Sequence, residues 1–164
     1  MSFSTYPSPN CDGGNHLDAF DAVTAAGGVT YDSVYPYDIK ARQCDGTKKD
    51  YAVTVTKYNR VEGQQNMINH VLNGGTLVVA VDSSQMGSYK SGIFYTCTAS
   101  TPNHVVQIVG VNVLEGYWII RNSWGSWWGE QGYMKLALVG ASSIMAEILH
   151  QYSQCSSSRV TFLT

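Results

Sequence analysis

Between His104 and Asn122 the chain reads "HVVQIVGVNVLEGYWIIRN", two apolar runs parted by a turn at Glu115-Gly116. Short runs rich in Val and Ile and bounded by turn residues form strands, and so brief a connection lays the second back along the first. A strand pair of this kind has to bury a face, which commits the chain to a sheet with something packed on it. It also has a chemical consequence, because the start of the first strand, His104, comes to lie beside the end of the second, Asn122. Directly after it comes "RNSWGSWWGEQGY", with three tryptophans and three glycines around Asn122. An indole cluster shields something: a core, a sugar-stacking platform, or a polar contact that works only when dry. An Asn carbonyl can accept from one imidazole nitrogen and fix the ring's tautomer and direction. Trp124 and Trp128 would keep water off that contact, where a hydrogen bond orients more strongly. A sheltered histidine held this way is poised as a general base. The plainer readings are a strand-end histidine bonded to a backbone carbonyl, and an aromatic core in which Asn122 caps a turn.

The rest of the chain arranges itself around these strands. In "NHLDAFDAVTAAGG", Leu17, Phe20 and Val23 recur at helical spacing and Gly27-Gly28 ends the helix. "VTYDSVYPYDIKARQC" reads as an aromatic, turn-rich loop, and "YAVTVTKY" as a half-buried strand that alternates Tyr51, Val53 and Val55 against Ala52, Thr54 and Thr56. A second helix fits "GQQNMINHVLN", with Met67, Ile68, Val71 and Leu72 on one face and Gly74-Gly75 after it. "TLVVAVD", "HVVQIVGVN", "GYWIIRNSW" and "GYMKLAL" follow as strands. Helices first and strands later predict an α+β protein with a mainly antiparallel sheet. The expected organisation is a flexible lead-in over 1–10, a helical part over 11–50, an antiparallel β lobe with the His/Asn site over 51–140, and a divergent tail over 141–164.

Charge and cysteines narrow the function classes. With 164 residues, a net charge of -2 and 13% charged residues, nothing recommends nucleic acid or an anionic membrane as a partner. The longest apolar runs are far too short to span a bilayer. "MSFSTYPSP" has neither the basic region nor the apolar core of a signal peptide. Cys11, Cys44, Cys97 and Cys155 are widely spaced and form no CxxC pair, so no metal site is expected. They suit either structural disulfides in an oxidising compartment or buried free thiols.

Taken together, "NHVVQIVGV … YWIIRNSWGSWWGEQGY" resembles the His- and Asn-bearing segments of papain-like cysteine peptidases, the papain and cathepsin family. "NCDGG" at 10–14, "YPY" at 35–37 and "GTLVVAVD … YKSGIF" at 75–94 resemble further family segments in the same order, so the likeness runs from about Cys11 to about Leu138. The resemblance implies a papain-like α+β fold, consisting mainly of the antiparallel barrel-like lobe plus part of the helical lobe. It implies His104 as catalytic base and acid, Asn122 as its orienting partner, and Trp124 and Trp128 as shielding indoles. Gly13 and Gly14 would present backbone to an extended substrate, and Asn15, His16, Pro102 and Val105 would lie around the pocket for the substrate's second residue. It further implies peptide or protein substrates, no cofactor, and a secreted, lysosomal or vacuolar setting.

One element of the family pattern is absent. A papain-type nucleophile sits in a C-G-[SA]-C-[WY] context roughly 130–150 residues before its His and Asn. No such string occurs in this sequence, so the nucleophilic cysteine is expected on an upstream segment or a second chain. The resemblance matches Cys11 and Cys44 to cysteines whose partners lie upstream, and Cys97 to one bonded near the C-terminal end, where Cys155 could serve. None of the four has a setting that would depress a thiol pKa. Two functional readings follow: a cysteine endopeptidase chain supplying base and orienting amide, or an inactive homologue that binds or scaffolds. A third, a carbohydrate-binding module built on Trp127 or Trp128, leaves His104 unexplained.

Overall fold

The structure, a computed structural model, describes residues 13–37, 45–47, 50–95 and 102–138, together with the backbone of 160–163. The lead-in, the four cysteines and most of the tail lie outside the described residues. The chain divides into two compact units, Met1–Asn59 with Leu163–Thr164, and Arg60–Phe162.

In the first unit, α1 (His16–Ala26) starts where Asn15 takes an extended conformation and its side chain accepts the Leu17 N–H at 2.9 Å. That bond satisfies one of the helix's orphan donors, and Asp18 adds a favourable charge in the first turn. Gly27 ends the helix at φ 95°, its N–H returning to Val23 and Thr24. The helix boundaries are those that the sequence predicts, although only Phe20 is buried, with Leu17 and Val23 half-buried. Phe20 stacks on Tyr58 at 5.4 Å, and the Tyr58 hydroxyl donates to Asp21 at 2.7 Å.

The expected loop after α1 begins instead as a strand. β1 (Gly28–Thr30) pairs antiparallel with β2 (Tyr51–Thr54). A side chain at Gly28 would put its Cβ 2.3 Å from the Val53 carbonyl oxygen, so the close approach of the two strands requires glycine. The alternation expected over 51–56 is also corrected. Tyr51 is half-buried and Val55 buried, but Val53 is 59% exposed. β2 ends at Thr54, and the next residue, Val55, donates its N–H to the Gly27 carbonyl and buries its side chain. The chain then restarts as β3 (Tyr58–Val61).

The second unit is one sheet covered by a helix. α2 (Gln64–Leu72) buries Met67, Ile68 and Val71. Leu72, expected on the same face, is 62% exposed, lying at the edge of the buried stripe about 100° round the helix from Val71. The strands are β4 (Leu77–Val81), β5 (Ile93–Phe94), β6 (His104–Asn112), β7 (Tyr117–Arg121), β8 (Tyr133–Ala137) and β9 (Val160–Leu163). Together with β3 they form a seven-stranded sheet in the order β3-β9-β4-β6-β7-β8-β5. β4–β6, β4–β9, β6–β7 and β7–β8 pair antiparallel, while β5 joins β8 in parallel. β9 returns part of the tail to the sheet, which the polar composition around it does not announce. The core contains Leu77, Val79 and Val81 of β4, Val106 and Ile108 of β6, and Ile120, Trp128 and Met134. Each such side chain contributes roughly 1.5–3 kcal/mol by leaving water.

Candidate active site

His104 opens β6, on the face that carries Val106 and Ile108 into the core, since alternate strand residues share a side. It is therefore half-buried and fixed at the sheet's end. Its neighbour Asn103 clamps that end to β4. The Asn103 N–H donates to the Val81 carbonyl at 3.0 Å, and its side-chain oxygen accepts from the Ser83 N–H and hydroxyl at 2.9 and 2.8 Å. Nothing in the sequence pattern singles out this clamp, because Ser83 lies 20 residues away.

The return strand supplies the partner. The β6–β7 ladder shifts register between Ile108 and Gly110. The recorded ladder ends at Gln107↔Arg121, and beyond it the chain leaves the strand and brings Trp124 onto His104. The two rings stack at 4.9 Å with an interplanar angle of 24°. Trp128 meets Trp124 edge-on at 5.2 Å and 84°, and its own Nε1–H donates to the Met86 carbonyl at 3.0 Å. Trp128 is 1% exposed, so it cannot serve as a sugar platform, and Trp127, at 77%, lies outside the stack.

Beneath the Trp124 indole, His104 Nε2 and Asn122 Oδ1 are 2.8 Å apart. The Ser123 N–H also points at that oxygen, at 2.7 Å. A backbone N–H needs an acceptor, so the amide oxygen faces both groups, and the imidazole must carry its proton on Nε2. In the neutral ring, this leaves the lone pair on Nδ1. The cost of this orientation is visible: the buried Asn122 Nδ2 has no partner among the described residues, a defect usually worth about 1–3 kcal/mol. Flipping the amide would set its NH2 against the Ser123 N–H, so the acceptor toward His104 is kept.

Of the residues assigned to substrate, Gly13 and Gly14 are exposed, and Gly13 holds φ 101°. Asn15 is the α1 cap and His16 its first residue. Pro102 is half-buried, and Val105, 36% exposed, points away from the face that carries His104. The first four belong to one unit and the last two to the other. No group of three or more metal-binding side chains occurs among the described residues.

Sequence reasoning missed a second set of groups, Tyr89, Gly92, Glu130 and Lys135. The Tyr89 hydroxyl and the Gly92 N–H both donate to Glu130, at 2.7 and 3.1 Å. Burial pushes the Tyr89 phenol up from 10.0 to about 12. The Tyr89 hydroxyl, helped by Gly92 and Lys135, holds the Glu130 carboxyl below its ordinary value. Their partners lie some 40 residues apart in sequence, and so share no local pattern.

Fold and pair define a class: an α+β protein that presents an amide-oriented histidine at the end of an antiparallel sheet, under stacked indoles. Residues 2–153 match the model of the papain family cysteine proteases. The chain belongs to that family and is cathepsin-like. It is 37% identical over 130 residues to a viral cathepsin of Choristoneura fumiferana nuclear polyhedrosis virus, covering 77% of this chain and 40% of the relative. It is 34% identical over 144 residues to mouse cathepsin 7, covering 80% and 43%. Among solved structures, bromelain protease from Ananas comosus in complex with E64 superposes with a TM-score of 0.78 at 28% identity, over 94% of this chain and 71% of that one. Digestive procathepsin L2 from Tenebrio molitor larval midgut gives 0.76 at 30%, over 94% and 48%. The chain thus spans about two fifths of the length of its curated relatives.

Proposed function

We propose that this chain is the base-bearing part of a papain-type cysteine endopeptidase acting on peptide or protein substrates, with the nucleophilic cysteine on an upstream segment or a second chain. The observation that carries the reading is the 2.8 Å contact between His104 Nε2 and Asn122 Oδ1, made at the expense of an orphaned amide donor. An amide that accepts on Nε2 leaves Nδ1 as the working nitrogen. In the proposed reaction, Nδ1 takes the thiol proton and the thiolate adds to the peptide carbonyl carbon. The C–N bond then breaks as Nδ1 gives that proton to the leaving amine, leaving a thioester. Water follows the same route: Nδ1 takes its proton, hydroxide adds to the thioester, and the thiol leaves with the proton. Trp124 and Trp128 keep solvent from the Nε2 bond. Gly13, Gly14, Asn15, His16, Pro102 and Val105 are assigned to substrate by family resemblance. A lysosomal or secreted setting fits the cathepsin relatives.

The isolated chain is expected to hydrolyse no peptide, because no thiol in it has a nucleophile's sequence context. The competing reading, an inactive homologue with a binding or structural role, draws on the divergent sequence of the tail over 141–164. Labelling of the natural-source protein with E-64, followed by site mapping, separates the two. Label on a cysteine of an upstream segment or companion chain supports the peptidase. No label in protein that binds peptides without cleaving them supports the homologue.

A further inference from the structure

We infer that Tyr89 and Glu130 are positioning residues for the His104–Asn122 pair and act on it through the two indoles; the inference rests on reading that pair as the reactive centre. The Glu130 carboxylate ties three stretches together. Its Oε1 accepts from the Tyr89 hydroxyl at 2.7 Å and the Gly92 N–H at 3.1 Å, and its Oε2 lies 3.4 Å from the Lys135 ammonium. The Tyr89 hydroxyl also accepts the Lys135 backbone N–H at 3.2 Å and lies 2.7 Å from the Gly92 carbonyl. A phenol has one proton, and an ionised carboxylate is its stronger acceptor, so that proton is directed to Glu130.

Glu130 is itself held by a tight turn. It exchanges backbone hydrogen bonds with Tyr133 at 2.9 and 3.1 Å, while Gln131 and Gly132 between them adopt φ 57° and 90°. Two positive φ angles in succession are the geometry of a tight two-residue turn closed by the Glu130–Tyr133 bridge. The Tyr89 ring lies against Gly129, where a Cβ would come 3.0 Å from the ring and 2.5 Å from the Tyr133 carbonyl oxygen. Glycine alone lets the ring settle there.

From Tyr89 a line of ring contacts runs to the imidazole. Tyr89 meets Trp128 at 5.6 Å, Trp128 meets Trp124 at 5.2 Å, and Trp124 stacks on His104 at 4.9 Å. Rings packed this closely have no slack, because a gap of even half an ångström forfeits much of the attraction between them. The Tyr89–Glu130 bond therefore sets how deep Trp128 sits, and through it where Trp124 lies on the imidazole. The motif that carries Asn122 and Trp124 thus includes its own brace, with Glu130 two residues beyond Trp128.

The test uses the full chain, 15N-labelled, as Tyr89→Phe and Glu130→Gln. The first keeps the ring and loses the hydroxyl; the second keeps the size and loses the charge. We expect the His104 ring nitrogens to move away from the Nε2–H form in both variants. We also expect the Trp128 indole N–H to exchange with solvent about tenfold faster as its packing loosens. Ring-nitrogen shifts and indole exchange that match the parent chain would overturn the inference, whether or not the melting temperature falls, since a purely structural brace moves only the latter. If Glu130→Gln does not fold, Tyr89→Phe decides alone. The readout is ring geometry and not turnover, so failure of E-64 labelling and failure of this test are separate results.

Discussion

At the scale of single residues, the site turns on one oxygen. Asn122 Oδ1 receives the His104 Nε2 proton and the Ser123 N–H, and no apolar substitute can do either. Asn122→Ala is expected to release the tautomer, raising the Nδ1–H form about fivefold for a bond worth roughly 1 kcal/mol. The 15N shifts of the His104 ring measure this directly, and unchanged shifts would mean that the stacked Trp124 alone holds the ring. Trp128 is a different kind of residue. Buried to 1% exposure and bonded to the Met86 carbonyl, it is structural. Trp128→Ala should cost about 3–5 kcal/mol in chemical denaturation, the range for emptying a large aromatic site. A loss below about 1 kcal/mol would show that the neighbouring rings collapse into the space.

At the scale of elements, two close approaches make testable demands. Gly28 lies so near the Val53 carbonyl that an added Cβ must push β1 from β2. Gly28→Ala should destabilise by about 1–3 kcal/mol, with faster amide exchange in β1 and β2 while β6 and β7 keep theirs. Equal protection in β1 and β2 would show that the ribbon absorbs the methyl. The Tyr89–Glu130 bond joins the approach to β5 with the turn before β8, and it makes stability depend on pH at both extremes. The Tyr89 phenol is raised to about 12, so its contribution is full below about 10 and is lost as pH climbs through about 12. The Glu130 carboxyl is depressed chiefly by that same hydroxyl, so its contribution holds above the ordinary carboxylate value and is lost as pH falls through the folded one. Tyr89→Phe should flatten both limbs of a stability–pH profile, and an unaltered alkaline limb would contradict the assignment.

At the scale of the molecule, the two units differ in what holds them. The second has a continuous core running from α2 through β4, β6 and β7 to Trp128 and Met134. The buried hydrophobics described in the first are Phe20 and Val55. Hydrogen exchange should therefore find the slowest amides at Leu77 and Ile120, opening only with global unfolding, while α1 and β1–β2 exchange through smaller openings. Equal protection in the two units would mean that they unfold as one body. The chain spans about two fifths of the length of its curated relatives.

The local chemistry of the chain was enough to announce both helices, their glycine stops, the four central strands and the His104–Asn122 juxtaposition. Each depends on spacing, turn residues and a short hairpin, all written within a few residues of one another. The resemblance carried by "NSWGSWWGEQGY" added the family. What stayed illegible depends on contacts between distant segments. Leu72 and Val53 were placed inside by periodicity alone, but burial is decided by what packs opposite, and both face outward. β1 and β9 are too short to declare themselves and exist as strands because β2 and β4 offer them edges. That the Trp124 indole covers the histidine is likewise a matter of tertiary contact. Glu130 is an ordinary charged residue in the sequence; it becomes a brace only when the fold brings Tyr89 to it across 41 residues of chain. Periodicity reports the direction in which a side chain leaves the backbone, and only the assembled sheet determines what it meets there.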